Sequence, residues 1–190
     1  MREIETRRWT LEEYYRMAET GVLARDERVE LIEGEILKMS PQGSPHLTAI
    51  HRTLKALFKA FGFEAYVRVQ GPLVLGPFSE PEPDLALVPG SELDYSEAHP
   101  STALLVVEVS ETTIEYDRNR KGSLYARAGI AEYWVLNLVD HALEVYRDPV
   151  PSATAPYGWE YSSVQRFSAE QSVCPLHAPN GRVSVADLLP

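Results

Sequence analysis

Apolar residues in the first part of the chain recur at spacings that predict a helix followed by a hairpin. Thr10 and Glu13 form a capping-box pattern, so a helix should begin at Thr10 and end near Gly21. Two short runs of β-favouring residues flank Glu33 and Gly34, which predicts a hairpin that turns at this pair.

The second predicted helix begins at Ser44, which would cap it, with Pro45 in the first helical position. This second helix should continue to Gly62, because apolar residues recur at helical spacing up to that point: Leu47, Ile50, Leu54, Leu57, Phe58 and Phe61.

Residues 64–76 then predict two strands separated by a break at Gly71–Pro72.

The rest of the chain alternates predicted strands with one helix. A short strand is predicted at 83–88, and the most apolar strand, at 102–110, should lie centrally in the sheet. After it, the sequence predicts a helix at 114–128 and a hairpin of two strands at 132–138 and 142–148. A surface loop at 149–158 and a strand at 159–167 should follow. This order predicts an α/β fold in which a mixed β-sheet is flanked by helices.

Length and charge restrict the possible functions. The chain has 190 residues, which fits a single domain over 1–190, and its formal net charge of -10 opposes tight, non-specific coating of DNA. Cys174 is the only cysteine, which excludes an intrachain disulfide and suits a reducing compartment. We see neither a signal-peptide core nor an apolar run of about 20 residues, so we expect a cytoplasmic protein that does not cross a membrane.

Glu108 interrupts the most apolar predicted strand and therefore needs a partner. An unpaired carboxylate there would be strongly destabilised by desolvation, so a cation, a metal ion or a proton should accompany it. Asp84 lies 24 positions upstream, in another predicted strand. If the two strands pair, their carboxylates provide the minimum set of hard oxygen ligands for Mg²⁺ or Mn²⁺. The alternatives are an ordinary turn aspartate at position 84 and a structural salt bridge at position 108.

Lys121 is the candidate cation for these carboxylates. It lies one helical turn after Asp117 and one turn before Tyr125, so the three residues share a face of the predicted helix. If that helix packs beside the strand of Glu108, the ammonium group reaches the carboxylates; a solvated lysine is the alternative. Two carboxylates, a metal ion and a lysine suit phosphodiester hydrolysis, because the metal lowers the pKa of a bound water and the lysine orients that water or stabilises the developing charge.

Several motifs together resemble the putative restriction endonuclease family of the PD-(D/E)XK nuclease superfamily. The resemblance extends over about residues 9–140 and implies a restriction-endonuclease-like fold. The segments that resemble the family are Glu30-Leu-Ile-x-Gly34, Ser44-Pro45-His46, Pro83-Asp84, Glu108-Val109-Ser110, Asp117-x3-Lys121-x3-Tyr125 and Gly129-x2-Glu132-Tyr133-Trp134.

The resemblance implies roles for the central residues. Asp84 and Glu108 would bind Mg²⁺ or Mn²⁺, with the carbonyl of Val109 as a third ligand. The usual lysine of the superfamily follows its acid by two positions, and Ser110 occupies that position here. Members of this family supply the lysine from the next helix, so Lys121 is the candidate, and it could fill the space beside Ser110.

Four further residues are candidate accessory groups: Glu30, His46, Gln70 and Asp117. Glu30 could add a metal ligand, His46 could approach a substrate phosphate, Gln70 could end a strand that faces the site, and Asp117 shares the helix face of Lys121. Surface charge at Glu30, helix capping at His46 and edge hydrogen bonding at Gln70 explain these residues equally well.

The leading hypothesis is a Mg²⁺- or Mn²⁺-dependent endonuclease-like phosphodiesterase that acts on DNA or another nucleic acid. A homodimer is expected, since two copies of one site suit the two strands of a duplex. The first alternative is a catalytically inactive nucleic-acid-binding or regulatory protein that retains the fold, for which binding would depend steeply on salt without cleavage. A metal-independent glycoside hydrolase with two carboxylates is a weaker alternative.

Overall fold

A computed structural model describes residues 6–24, 26–62 and 65–190 of the chain. Within these ranges, no helix has the length and apolar composition needed to cross a membrane. The helices and strands are, in chain order, α1 (Leu11–Glu19), β1 (Val29–Ile32), β2 (Glu35–Lys38), α2 (Ser44–Phe61), β3 (Tyr66–Val69), β4 (Leu85–Val88), β5 (Leu105–Ser110), α3 (Ile114–Tyr116), a π-helical turn (Asp117–Lys121), α4 (Gly122–Arg127), β6 (Glu132–Asn137), β7 (Ala142–Pro151), β8 (Trp159–Ser168), β9 (Ser172–Val173) and β10 (Val183–Ser184).

Strands β3 to β8 form a mixed sheet of six strands in the order β3-β4-β5-β6-β7-β8. β5 and β6 are parallel and are connected by the helical segment 114–127, whereas the other neighbours are antiparallel. β4, β5 and β6 are buried along their whole length, which agrees with their central position. The predicted α/β class, a mixed sheet flanked by helices, is confirmed.

The two faces of β5 pack into two different apolar clusters. Leu105, Val107 and Val109 belong to the cluster that contains buried residues of α2. Val106 belongs to the second cluster, together with Tyr125 of α4. This alternation confirms the prediction that Glu108 shares a strand face with Val106, because side chains alternate along a strand.

The predictions for the N-terminal elements are confirmed in detail. The amide of Glu13 donates to Oγ1 of Thr10 at 3.2 Å, and the amide of Thr10 donates to Oε2 of Glu13 at 3.0 Å, which completes the capping box of α1. β1 and β2 form an antiparallel hairpin that turns at Glu33 and Gly34. Gly34 has a φ of 80°, and a Cβ atom there would lie 2.6 Å from Cβ of Arg8, so only glycine fits this position.

Three predictions about element boundaries are wrong. The N-cap of α2 is Gly43 rather than Ser44. Residues 71–76 form an irregular segment instead of a second strand, since Pro72 interrupts it and its amides donate to scattered carbonyls, those of Ser79, Pro81 and Pro100. β7 continues to Pro151 by pairing with β8, so the surface loop begins at 152. Glu64, with which the earlier strand was predicted to begin, lies outside the described residues.

Candidate active site

Asp84 and Glu108 lie side by side where β4 pairs with β5. Leu85 pairs with Val107 in this antiparallel ladder, so the next positions outward are Asp84 and Glu108. The amide of Asp84 lies 3.4 Å from Oε2 of Glu108, and the amide of Val109 donates to Oδ2 of Asp84 at 2.9 Å. Only 6% of Asp84 and 3% of Glu108 is exposed, so strand pairing holds two carboxylates together in the interior.

Lys121 reaches the same carboxylates from the helical segment that follows β5. Its Nζ atom lies 2.9 Å from Oε1 of Glu108 and 3.5 Å from Oε2 of Glu30. The hydroxyl of Tyr125, one turn later, donates to the same Oε1 atom at 2.7 Å. Asp117, Lys121 and Tyr125 are all buried, as expected for residues on one inward face. The π-helical turn ends at Lys121, and such turns are frequent at functional sites.

Three further side chains contact Oδ1 of Asp84. The amide groups of Gln42 and Gln70 donate to it at 3.3 Å and 3.2 Å, and Nε2 of His46 lies 3.1 Å away. The structure therefore brings two of the predicted accessory residues, His46 and Gln70, into contact with Asp84. Sequence analysis missed Gln42, because it lies in the loop between β2 and α2, where no pattern identifies a functional side chain.

Glu30 and Asp117 lie at the same site with other partners. Glu30 is 1% exposed, and its Oε2 atom, which faces Lys121, accepts from the amide of Glu82 at 3.2 Å. Asp117 is 4% exposed and accepts a hydrogen bond from Oγ1 of Thr113 at 2.7 Å. Glu30 thus shares Lys121 with Glu108, whereas Thr113, the residue that precedes α3, holds Asp117.

Burial and charge pairing shift the pKa values of these groups in different directions. Burial raises the pKa of Glu108 to about 8, against the opposing effect of Lys121. Burial disfavours the ammonium of Lys121, but the carboxylates of Glu108 and Glu30 raise its pKa well above the ordinary value. Burial also opposes the charged form of Asp84, yet the hydrogen bond and charge of His46 lower its pKa. The site therefore combines a charged lysine and an ionised Asp84 with a Glu108 whose charged form is disfavoured by burial and favoured by Lys121.

These groups line a cavity of about 340 Å³ between the loop that precedes α2 and the segment that follows β5. Asp84, Glu108 and Lys121 lie in its wall, together with Val109. Two cations, Arg28 and Lys38, also line it, although the protein as a whole is acidic. The cavity is the space in which a small ligand or part of a polymer could contact both carboxylates.

The oxygen atoms of Asp84 and Glu108 fit a hard divalent cation. An ionised carboxylate has about four lone-pair sites. Glu108 has three protein donors and keeps one site, whereas four contacts surround Asp84, so a metal ion bound there would replace one of the side-chain contacts. Mg²⁺ commonly binds through one or two carboxylates and takes its other ligands from water and substrate. The described residues contain no group of three His, Cys, Asp or Glu side chains placed to hold a metal ion. A metal here would therefore rely on two carboxylates with backbone, water or substrate oxygens.

Comparisons with known proteins agree with this architecture. The model of the Uma2 family, described as putative restriction endonuclease, matches residues 11–178. Among solved structures, the chain resembles a putative nuclease belonging to DUF820 from Anabaena variabilis ATCC 29413, with a TM-score of 0.67 and 15% sequence identity over 94% of this chain and 96% of that chain. At that identity the likeness shows the fold alone. A search of curated proteins finds no match.

Proposed function

This chain belongs to the Uma2 family of putative restriction endonucleases, and on that premise we propose that it hydrolyses phosphodiester bonds of DNA with the help of Mg²⁺ or Mn²⁺. The observation that most supports this proposal is the contact of Lys121 with Glu108, beside Asp84, in the wall of one cavity. Two carboxylates that can hold a metal ion and one lysine suit metal-assisted phosphodiester hydrolysis.

Asp84 and Glu108 would hold the metal ion, with the carbonyl of Val109 as a third ligand. A bound divalent ion would neutralise phosphate charge and lower the pKa of a water molecule. The contacts around Asp84 would fix its carboxylate, because donors to a metal ligand set its orientation. These donors are Gln42, His46, Gln70 and the amide of Val109.

Lys121, which contacts Oε1 of Glu108, would act on the reacting phosphate. Its ammonium group remains charged, because Glu108 and Glu30 hold its pKa well above the ordinary value. A fixed positive charge can orient the attacking water or stabilise the negative charge that develops on the phosphoryl oxygens. Tyr125 would keep Glu108 in place, since its hydroxyl donates to the oxygen atom that Lys121 contacts.

DNA binding by a protein of net charge -10 would depend on cations close to the site. Arg28 and Lys38 line the cavity and are suitable for contacts with the flanking phosphates. A homodimer would provide one site for each strand of a duplex. We propose further that the protein is a cytoplasmic homodimer and that residues 1–190 form a single domain.

Cleavage of plasmid and single-stranded circular DNA tests the proposal. The expected result is nicking of at least one substrate in Mg²⁺ or Mn²⁺ and none after a chelator is added. An Asp84→Asn variant serves as the control for contaminating nucleases. If the wild type bound Mn²⁺ and DNA but cleaved neither DNA nor RNA, a nucleic-acid-binding or regulatory role would replace the proposed hydrolysis.

A further inference from the structure

Tyr116 has a hydroxyl group that the fold does not explain. The residue ends α3 directly before the π-helical turn, and it lines the cavity together with Lys121. Its hydroxyl oxygen is buried and has no hydrogen-bond partner among the described residues. Buried polar atoms of native proteins are nearly always paired, so this hydroxyl is an exception in need of a cause.

The other tyrosines of the interior differ from Tyr116. Five buried tyrosines each donate their hydroxyl to a carbonyl or carboxylate oxygen at 2.7–3.0 Å: Tyr14, Tyr125, Tyr133, Tyr146 and Tyr161. Their hydroxyls contribute to the fold. An unpaired buried hydroxyl destabilises the folded state instead, and a phenylalanine would fill the same space without that cost.

Lys121 and Arg120 near Tyr116 suit an anionic ligand, and the metal ion of the proposed function would offset the carboxylates that line the same cavity. Burial raises the pKa of its hydroxyl, an effect that the charge of Glu30 increases and that of Lys121 opposes, so the group stays protonated and can donate a hydrogen bond. The guanidinium of Arg120 lies 5.7 Å from the centre of its ring. A neutral donor and a charged lysine in the same cavity wall are suited to the oxygen atoms of a phosphate group.

We propose that the hydroxyl of Tyr116 donates a hydrogen bond to a phosphate oxygen of nucleic acid bound in the cavity. The residue is then a substrate contact in addition to Lys121, and the cost of its unpaired hydroxyl in the free protein is offset when the phosphate binds. This inference rests on the proposed function, because it takes the ligand to be a nucleic-acid backbone. It does not require that the protein cleave that backbone.

A pair of tyrosine variants tests this contact. Tyr116→Phe removes the unpaired hydroxyl, and the control Tyr161→Phe removes a hydroxyl that donates to the carbonyl of Ile130 at 2.8 Å. Thermal unfolding is measured without ligand. Binding of a fluorescent DNA oligonucleotide is measured by anisotropy with Ca²⁺ in place of Mg²⁺ or Mn²⁺, and a gel checks that the oligonucleotide stays intact. Inorganic phosphate is added as a competitor in a second series.

The two variants should behave in opposite ways. Tyr116→Phe should leave the Tm unchanged or raise it, and should weaken oligonucleotide binding roughly 10-fold or more, as expected for the loss of a hydrogen bond to a charged group. Tyr161→Phe should lower the Tm and leave oligonucleotide binding unchanged.

Three results would overturn the inference. The first is a lower Tm with unchanged oligonucleotide affinity in Tyr116→Phe, which would give its hydroxyl a structural role. The second is the absence of oligonucleotide binding by the wild type. The third is an effect confined to inorganic phosphate, which would identify a small anion as the ligand. A wild type that binds the oligonucleotide but never cleaves DNA would instead contradict the proposed hydrolysis alone.

Discussion

The Nζ atom of Lys121 lies 2.9 Å from Oε1 of Glu108, and the two residues are 2% and 3% exposed. Such a pair is sensitive to the loss of either partner, because the remaining charge stays buried without compensation. Glu30 increases this sensitivity, since its Oε2 atom lies 3.5 Å from the same ammonium group. Lys121 is therefore a structural residue as well as the proposed catalytic one.

Lys121→Met should reduce the free energy of unfolding by about 3–5 kcal/mol, because it leaves two carboxylates buried without their cation. Urea unfolding at neutral pH measures this change, with the exposed Lys55→Met as a matched control that should be nearly neutral. Addition of Glu108→Gln should recover part of the loss. Equal stability of Lys121→Met and wild type would show that the ion pair contributes nothing.

Gln42→Ala should lower the affinity for Mn²⁺ by about tenfold, as is typical when a donor to a metal ligand is removed. Gln42 donates to Oδ1 of Asp84 at 3.3 Å and helps to orient that carboxylate. Isothermal titration calorimetry measures the affinity, and Gln165→Ala, at an exposed position of β8, is the control. Unchanged Mn²⁺ affinity in Gln42→Ala would argue against Asp84 as a ligand held by these contacts.

Glu33 should make the stability depend on pH in the acidic range. Burial would raise the pKa of this carboxyl, but the hydrogen bond from Arg127, with that from Ser79 and the charge of Arg8, lowers it below the usual value of 4.5. A lowered pKa means that the stabilisation is complete above the unfolded-state pKa and is lost as the pH falls through the folded-state pKa.

Glu33→Gln tests this dependence against Glu12→Gln, whose side chain is 82% exposed and pairs with Arg16 on the surface of α1. The difference in unfolding free energy between wild type and Glu33→Gln should be on the order of 1 kcal/mol at pH 7 and should diminish below pH 4.5. Glu12→Gln should show little effect at either pH. A difference for Glu33→Gln that grew on acidification would contradict the sign of the shift.

The contacts predicted from the sequence are those that follow from regular periodicity. Side chains alternate along a strand, so Glu108 had to face the side of the sheet away from Val107 and Val109, and its burial required a partner. The helical period placed Asp117, Lys121 and Tyr125 on one face, and the structure buries all three. The pairing of β4 with β5, which was an assumption, brings Asp84 to Glu108.

What the sequence did not predict depends on tertiary contacts or on irregular backbone. Nothing in residues 117–121 distinguishes a π-helical turn from an α-helix, although that turn ends at Lys121. Gln42 approaches Asp84 only because the loop before α2 folds over the end of β4. For Tyr125 the sequence predicted only a shared helix face with Asp117 and Lys121. Its ring packs at 5.0 Å from that of Tyr133, and its hydroxyl donates to Glu108.

The most direct test of the account is the rate of metal-dependent DNA cleavage by Asp84→Asn, Glu108→Gln and Lys121→Met, compared with wild type and Lys55→Met. Each protein is assayed at a temperature at which it remains folded, and Mn²⁺ binding is measured in parallel. We predict a loss of about 100-fold or more in all three site variants. Mn²⁺ binding should weaken in the two carboxylate variants and persist in Lys121→Met. A folded Lys121→Met protein that cleaved DNA at the wild-type rate would contradict the central claim.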